Sequence, residues 1–223
     1  SRGWSTPARA TRCTASSSHE AAAGGRGAPV MQLVHLADIT PAPWKNGGGL
    51  TRELLRWPAA DDWQLRISVA EVQRSGPFSA YPGITRWFAV LQGAGAVLRW
   101  PGPAGDDGLH VTPDSPPWPF DGALAPGCTL VDGPVLDLNL MSRGGRAELV
   151  RARPGLLWAS GAPMRGLFTL RGATLHGAGP AARHLPAGTL AFAAAAPCGA
   201  WQLDETGAGP ASNWWLSFHP HAR

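Results

Sequence analysis

Trp44, Lys45 and Asn46 precede three consecutive glycines and form the densest group of side chains that could do chemistry. Arg52 and Glu53 follow within a few residues, and Lys45 is the only lysine in the chain. Glycine lets the main chain approach a ligand or a neighbouring strand closely. The spacing fits a ligand-binding loop, and it fits equally a glycine-rich connection with a solvated lysine and a weak surface ion pair. A Walker phosphate loop is excluded, because no Gly-Lys-Ser/Thr follows.

A second group of polar residues belongs to a predicted strand. Residues Trp63–Glu71 alternate between apolar and polar side chains, which is typical of a strand with one buried apolar face. Arg66 and Ser68 lie on the other face, which in a barrel is either the lumen or the outside. An arginine in the lumen needs an anion or a carboxylate partner, because burying an unpaired charge is costly. The candidate partners are Glu53, Glu71 and Asp137.

Two more patterns supply hydrogen-bonding and charged groups. Residues Val135–Leu140 also alternate, so Asp137 and Asn139 share one face of a predicted strand. Arg86 begins another apolar strand and follows a segment rich in glycine, proline and aromatic residues. Guanidinium groups pair bidentately with carboxylates, so an arginine in this setting is a candidate anion ligand.

The histidines and cysteines indicate no metal or disulfide chemistry. A metal-binding cupin needs His-x-His, a nearby Glu and a later His on neighbouring strands. None of the seven histidines falls in the predicted strands between Arg66 and Leu91, and His219-Pro220-His221 has no Glu nearby. We therefore expect no metal and no cofactor. The three cysteines have no paired spacing, which favours a reducing, cytoplasmic location. They are Cys13, Cys128 and Cys198.

The remainder of the chain is predicted to be all-β, with short apolar runs between glycines and prolines. The segments Arg86–Leu91 and Ala96–Trp100 flank Gln92-Gly93-Ala94-Gly95 and are predicted to form a tight hairpin. Further predicted strands are Met31–Leu36, Leu156–Trp158, Gly166–Leu175, Thr189–Ala194 and Trp214–His219. This pattern predicts a sandwich or barrel.

A faint internal repeat favours two similar barrels sharing one core. Phe88–Gly93 is echoed by Leu167–Gly172, and Leu124–Gly127 is echoed by Leu185–Gly188. We predict an N-terminal barrel over residues 31–150 and a C-terminal barrel over residues 151–223, packed as one unit.

The charge distribution and the first thirty residues narrow the class of partner. The formal net charge is +4, but residues 1–30 carry four arginines and one glutamate, so the remainder is nearly neutral. A neutral domain lacks the basic surface that nucleic acid requires, and no apolar run is long enough to span a membrane. Residues 1–30 lack periodicity and are expected to be disordered. We interpret Met31 as the biological start, with an arginine- and serine-rich transit peptide as the alternative.

As a set, four strings in this order resemble the HutD/Ves family: residues 43–53, 66–72, 76–86 and 137–141. The resemblance extends over about Met31 to Phe218. It implies a bicupin fold, a pocket without the usual cupin metal, and a cytoplasmic bacterial protein encoded near histidine-utilisation enzymes. It also implies a small anionic ligand such as urocanate or a formylated glutamate derivative.

These observations predict a metal-free, non-enzymatic bicupin that binds a small carboxylate metabolite and regulates a catabolic pathway. The predicted ligand-binding residues are Trp44, Lys45, Asn46, Arg66, Ser68, Arg86 and Asn139. Arg52, Glu71 and Asp137 are expected to orient them. The alternatives are an isomerase or hydrolase with Glu71 or Glu53 as general base, and an interaction scaffold in which these residues are solvent-exposed. A homodimer is left open.

Overall fold

The computed structural model describes residues 31–101, 108–196, 199–205 and 212–221, and the regular secondary structure of this part of the chain is almost entirely β-strand. One short 3₁₀ helix occupies Leu36–Asp38. No helix in these ranges is long and apolar enough to cross a bilayer. The predicted disordered extension, residues 1–30, lies outside the described residues, as do Cys13 and Cys198.

The all-β prediction is confirmed. In chain order the strands are β1 (Gln32–His35), β2 (Ala42–Pro43), β3 (Gly49–Trp57), β4 (Leu65–Val72), β5 (Gly76–Pro77), β6 (Thr85–Gln92), β7 (Ala96–Arg99), β8 (Leu109–Val111), β9 (Trp118–Asp121), β10 (Gly127–Leu130), β11 (Val135–Ser142), β12 (Gly145–Arg151), β13 (Trp158–Ala159), β14 (Met164–Thr169), β15 (Ala173–His176), β16 (Arg183–Leu185), β17 (Thr189–Ala193), β18 (Ala200–Glu205) and β19 (Asn213–Pro220).

These strands form two barrels, each built from one large and one small sheet. The first barrel has a six-stranded sheet in the order β2-β3-β4-β11-β6-β9 and a four-stranded sheet in the order β5-β10-β7-β8. The second has a five-stranded sheet in the order β1-β17-β14-β19-β12 and a four-stranded sheet in the order β13-β18-β15-β16. The two small sheets have the same connectivity, which is the mark of a duplicated fold.

The barrel boundary differs from the predicted division at residue 150. Strand β1 pairs with β17, and β12 pairs with β19, so both belong to the large sheet of the second barrel. The second barrel therefore takes one strand from before the first barrel, and its strand β12 crosses the predicted division at residue 150. Sequence order alone missed this exchange, because antiparallel pairing depends on which sheet edge is available in space.

Three apolar layers hold the four sheets together. The largest lies between the two large sheets and contains Ile67 and Leu138 from one and Leu149 and Phe218 from the other. A second fills part of the first barrel around Phe88, and a third fills the second barrel around tryptophans. Strands β4, β6 and β11 are consequently buried on both faces, with alternate residues pointing into the shared core and into the first barrel.

The predicted hairpin after Arg86 is wrong in its pairing. Strands β6 and β7 belong to different sheets, so the turn between them carries the chain across the barrel. Gly93 has φ +102°, and a Cβ there would lie 2.6 Å from the Pro134 carbonyl oxygen. Gly172 has φ +100° at the corresponding crossing from β14 to β15. Positive φ is available to glycine at little cost, which explains why both copies carry glycine here.

That crossing also divides the predicted strand Gly166–Leu175 in two. The echo between Phe88–Gly93 and Leu167–Gly172 marks equivalent positions in the two barrels. The second echo does not, because Leu124 follows β9 whereas Leu185 ends β16. The predicted strand at Leu156–Trp158 begins only at Trp158.

Candidate functional site

The strand register brings the polar positions of three neighbouring strands to one face. On β4 and β11, Ser68 lies opposite Asn139 and Arg66 lies opposite Met141. On β11 and β6, Met141 lies opposite Arg86. Because side chains alternate along each strand, the intervening residues enter the shared core instead. The polar face is therefore the lumen of the first barrel.

This face lines a cavity of about 510 Å³. All seven predicted ligand-binding residues line it, together with Asp137 and an apolar wall that includes Phe78, Tyr81 and Met141. The seven are Trp44, Lys45, Asn46, Arg66, Ser68, Arg86 and Asn139. The structure thus brings the predicted set together, and their role in binding remains a prediction.

The glycine-rich segment forms one wall of the cavity by folding back on itself. The Trp44 amide donates to the Gly49 carbonyl at 2.9 Å, and the Gly47 amide donates to the Trp44 carbonyl at 3.0 Å. A Cβ at Gly49 would lie 2.3 Å from the Glu71 carbonyl oxygen, so no larger residue fits there. Gly47 has φ +67°, a conformation that other residues rarely adopt. Gly49 thus lets β3 lie close against β4.

The side chains of this segment are placed differently from one another. The Trp44 indole Nε1 donates to Thr51 Oγ1 at 2.7 Å, which fixes its ring against the cavity. Lys45 and Asn46 are exposed at the cavity mouth. Asn46 Oδ1 accepts from the Gly48 amide at 3.0 Å, so its oxygen stabilises the turn.

Arg86 is the most enclosed cation of the cavity, with 5% of its surface exposed. Its guanidinium lies 5.1 Å from the ring centroid of Phe78, 5.1 Å from that of Phe120 and 5.7 Å from that of Tyr81. Aromatic faces attract cations, so the three rings partly replace lost water. Burial lowers the pKa of Arg86 to about 10, which leaves it protonated at neutral pH.

Asn139 connects Arg86 to Asp137. Arg86 Nη2 donates to Asn139 Oδ1 at 2.9 Å, and Asn139 Nδ2 donates to Asp137 Oδ1. Asp137 is completely buried, and its Oδ2 has no hydrogen-bond partner among the described residues. Burial raises the pKa of Asp137 to about 8, against the opposing effects of Arg86 and of the Asn139 hydrogen bond. The carboxyl is therefore mostly neutral at pH 7.

Arg66 is held in place by Glu53 of strand β3. Its Nε lies 2.6 Å from Glu53 Oε2, and Glu53 Oε1 lies 2.6 Å from Arg56 Nε. Arg66 Nη1 also lies 3.8 Å from the Met141 sulfur. The Arg66 side chain is 18% exposed, so this pair is partly shielded from water. The arrangement fixes the guanidinium at the cavity wall.

The HutD family model matches residues 36–208. The chain belongs to the HutD family. This match spans more than half of the sequence and both barrels, so the resemblance found in the motifs is confirmed.

Two curated relatives agree with this assignment over about half of the chain. An uncharacterized 21.2 kDa protein in the hutC 3' region of Pseudomonas putida is 36% identical over 118 residues, 50% of this chain and 57% of that protein. Protein Ves of Citrobacter koseri is 33% identical over 116 residues, 50% of this chain and 59% of that protein. The chain thus spans less than two thirds of the length of these relatives.

Solved structures confirm the bicupin fold. A conserved protein of unknown function from Pseudomonas aeruginosa PAO1 has a TM-score of 0.72 at 29% identity, covering 85% of this chain and 99% of that one. HutD from Pseudomonas fluorescens SBW25 has a TM-score of 0.72 at 24% identity, with 86% and 100% coverage. Oxalate decarboxylase of Lactobacillus farciminis has a TM-score of 0.56 at 10% identity, with 89% and 87% coverage.

The carboxylates of this HutD-family protein are arranged differently from the prediction. Glu71 lies outside the cavity lining and accepts from Gln73 Nε2 at 2.9 Å, so it does not orient an arginine. Arg52 lies opposite Val69, a shared-core position, and does not line the cavity either. Glu53 lies opposite Ser68 on the lumen side and pairs with Arg66. The β-alternation, counted along β3, would have distinguished Glu53 from Arg52.

Sequence reasoning missed the aromatic surroundings of Arg86. Phe78 and Tyr81 lie in the segment before β6, and Phe120 lies opposite Arg86 on β9. The first two stand close to the arginine in the sequence, which was the available signal. No feature of the sequence pointed to Phe120, because its proximity to Arg86 depends on the pairing of β6 with β9.

The HutD cavity does not suit a divalent cation. Its charged side chains are Lys45, Arg66, Arg86 and Asp137, so three cations accompany one mostly neutral carboxyl. In the described part of the chain, no three His, Cys, Asp or Glu side chains come together as metal ligands. Cations of this kind repel a metal ion and attract an anion.

Proposed function

We propose that this HutD-family protein binds a small carboxylate-bearing metabolite in the lumen of its first barrel and thereby regulates a catabolic pathway, histidine degradation. In this proposal Arg66 and Arg86 contact the carboxylate, and Lys45 adds positive charge at the mouth. Asn46, Ser68 and Asn139 supply hydrogen bonds, and Trp44 is a flat wall. We place the protein in the cytoplasm on its cysteine pattern.

The observation that carries the proposal is the excess of positive charge inside a partly closed cavity. Arg86 is buried and has no salt-bridge partner within the described residues. Its Nε is buried without a hydrogen-bond partner there. A buried cation with an unsatisfied donor is unfavourable unless an anion or water reaches it. A ligand carboxylate at this position would satisfy both.

The size and shape of the cavity support a small metabolite. Its volume of about 510 Å³ falls within the range of about 300–1,000 Å³ common for small-molecule sites. The rings of Phe78 and Tyr81 and the indole of Trp44 supply apolar surface beside the cations. This combination suits an acid with a flat body, which is the chemistry of urocanate. Formylated glutamate derivatives would instead offer two carboxylates to the cations of the cavity.

The contacts of Glu71 and Glu53 support ligand binding and not catalysis as the function of the cavity. The isomerase or hydrolase alternative requires Glu71 or Glu53 as a general base at the cavity. Glu71 is outside the cavity lining, and Glu53 is engaged by both Arg66 and Arg56. Each of its two carboxylate oxygens contacts a guanidinium, and Glu53 is not among the residues that line the cavity.

The test is isothermal titration calorimetry at pH 7 with formate, urocanate and formiminoglutamate. Formate is the smallest carboxylate, and the Pseudomonas fluorescens HutD structure carries the description "Formate condition". We expect saturable binding by the wild type and its loss in Asn139→Trp, which would fill the lumen. The control is Glu148→Gln, an exposed position on β12. Absence of binding to every acid in the panel would contradict the proposal.

A further inference from the structure

Asp137 is the most deeply placed ionisable group of the cavity. It sits on β11 with Ala70 of β4 and Val90 of β6 as its neighbours across the sheet. None of its surface is exposed, yet it lines the cavity. One carboxyl oxygen accepts from Asn139, and the other has no partner in the described part of the chain. A completely buried carboxyl with one unsatisfied oxygen requires an explanation.

The groups facing Asp137 do not form a direct ion pair with it. Arg86 on β6 reaches it only through Asn139, and no cation of the described residues lies within salt-bridge distance of it. Arg66 on β4 is engaged by Glu53 of β3. The remaining titratable groups around the cavity are Lys45 at its mouth, the Tyr81 hydroxyl and the buried Cys128 thiol of β10.

A bound carboxylate would bring a second acid to the same enclosed space. If it contacts Arg86, its negative charge lies close to Asp137, with only one unpaired guanidinium between two carboxyl groups. Two carboxylates in such a site cannot both ionise without a large energetic cost, so one proton is retained between them. The unsatisfied oxygen of Asp137 is the position from which that proton would donate.

We propose that the cavity binds its carboxylate ligand together with one proton, which Asp137 holds and donates to the ligand. This inference rests on the proposed function and adds a chemical requirement to it. The ligand must offer an oxygen basic enough to accept a strong hydrogen bond from a carboxylic acid. Carboxylates meet this requirement, whereas sulfonates of the same charge are far weaker acceptors.

The pKa of Asp137 supports the proposal and sets the pH range in which the effect is visible. Burial raises this pKa to about 8, so the proton is already present at pH 7 and must be taken up above pH 8. The Cys128 thiol does not interfere, because burial raises its pKa to about 12. Affinity should therefore be nearly constant below pH 8 and fall about tenfold per pH unit well above it.

The experiment measures formate and urocanate affinity by calorimetry between about pH 6.5 and about pH 9, where Arg86, with a pKa of about 10, keeps its charge, in buffers of different ionisation enthalpy. For the wild type we expect affinity to fall above pH 8. In that range the measured heat of binding should depend on the buffer, because binding takes up a proton that the buffer releases. Asp137→Asn keeps a donor but cannot exchange a proton, so it should bind without the decline. Tyr81→Phe should still show the fall in affinity above pH 8. This result would assign the fall to Asp137 and not to the Tyr81 hydroxyl.

A second comparison uses methanesulfonate against acetate at pH 7. We expect acetate to bind at least about tenfold more tightly in the wild type, and Asp137→Asn to narrow this difference. Binding that is flat across the pH range, or a decline that persists in Asp137→Asn, overturns the inference while leaving carboxylate binding intact. If no carboxylate binds at any pH, the proposed function itself fails. The buffer dependence of the wild type requires no variant, so the test survives a variant that does not fold.

Discussion

The two barrels have nearly the same strand order, but the interior of the first is a polar cavity and that of the second is filled by aromatic side chains. Arg86 lies opposite Met141 in the first barrel, and Arg165 lies opposite Ser217 at the same position in the second. Two residues along, the first barrel has Asn139, where the second has Trp215. The amide leaves room for a cavity of about 510 Å³. The indole instead becomes part of the core.

Tryptophans fill the lumen of the second barrel. Trp215 stacks on Trp158 with ring centroids 4.9 Å apart and planes inclined by 4°, and Trp201 contacts its edge. Arg165 lies 4.6 Å from the Trp201 ring centroid and donates to the Gly199 carbonyl at 2.6 Å. Both barrels thus keep a buried arginine beside aromatic rings. In the second barrel the guanidinium donates to a backbone carbonyl, whereas in the first barrel it donates to Asn139 and lines the cavity.

This difference shows how one fold can provide either a site or a support. The lumen of the second barrel is filled by aromatic side chains, which form an apolar core within that barrel. The first keeps polar side chains in its lumen and relies on the shared core for rigidity. The comparison predicts that equivalent substitutions will affect stability in one barrel and ligand affinity in the other.

The largest expected effect is on stability. Trp215→Ala should lower the free energy of unfolding by about 3–5 kcal/mol, because it removes a buried ring and leaves a cavity. Asn139→Ala at the equivalent position should lower it by only about 1–2 kcal/mol, since it loses hydrogen bonds beside an existing cavity. Urea unfolding of both variants measures the difference. Equal losses would show that the second barrel is not the structural support.

The second prediction concerns the different contributions of Arg86 and Arg165 to ligand affinity. Arg86→Met should weaken formate and urocanate binding about 100-fold, because a desolvated charge contact is lost. Arg165→Met should leave the affinity within about twofold of the wild type, since Arg165 does not line the cavity and its guanidinium contacts Trp201 and the Gly199 carbonyl instead. Calorimetric titration of each variant, after circular dichroism confirms folding, makes the comparison. Reduced affinity in both would mean that the barrels are coupled.

The third effect tests the strands that only the first barrel has. Its large sheet continues beyond β4 into β3 and β2, whereas the equivalent strand β12 is an edge. Gly49→Ala should destabilise the protein by about 1–3 kcal/mol, because the new Cβ meets the Glu71 carbonyl. Gly76→Ala is the matched control, with no atom near its Cβ position. The thermal midpoints of the two variants should differ clearly, and similar midpoints would contradict the close packing of β3.

The smallest effect concerns the cavity wall. The hydrogen bond from Trp44 to Thr51 should contribute about 1 kcal/mol to stability, as half-buried neutral bonds do. A double-mutant cycle with Trp44→Phe and Thr51→Val isolates this term from the effects of each substitution alone. A coupling energy of zero would show that the indole position does not depend on Thr51.

Much of the candidate site could be predicted because strand alternation is visible in the sequence. Arg66 and Ser68 share one face and Asp137 and Asn139 share another, and the structure places both pairs in the same lumen. The partner of Arg66 was only partly predictable. Strand alternation places Glu71 on the opposite face of β4 from Arg66, but Glu53 and Asp137 lie on other strands, whose pairing the alternation does not reveal. Strand pairing selected Glu53.

The amino-acid sequence by itself determined that the chain is a repeated all-β protein with a row of polar side chains and a glycine-rich turn. These features follow from local rules, namely the two-residue period of strands and the freedom of glycine at positive φ. Only the tertiary structure decided which strands pair, that β1 and β12 join the second barrel, and that Phe120 meets Arg86. It also decided the protonation of Asp137, because the pKa of a carboxyl depends on how completely the surrounding strands exclude water.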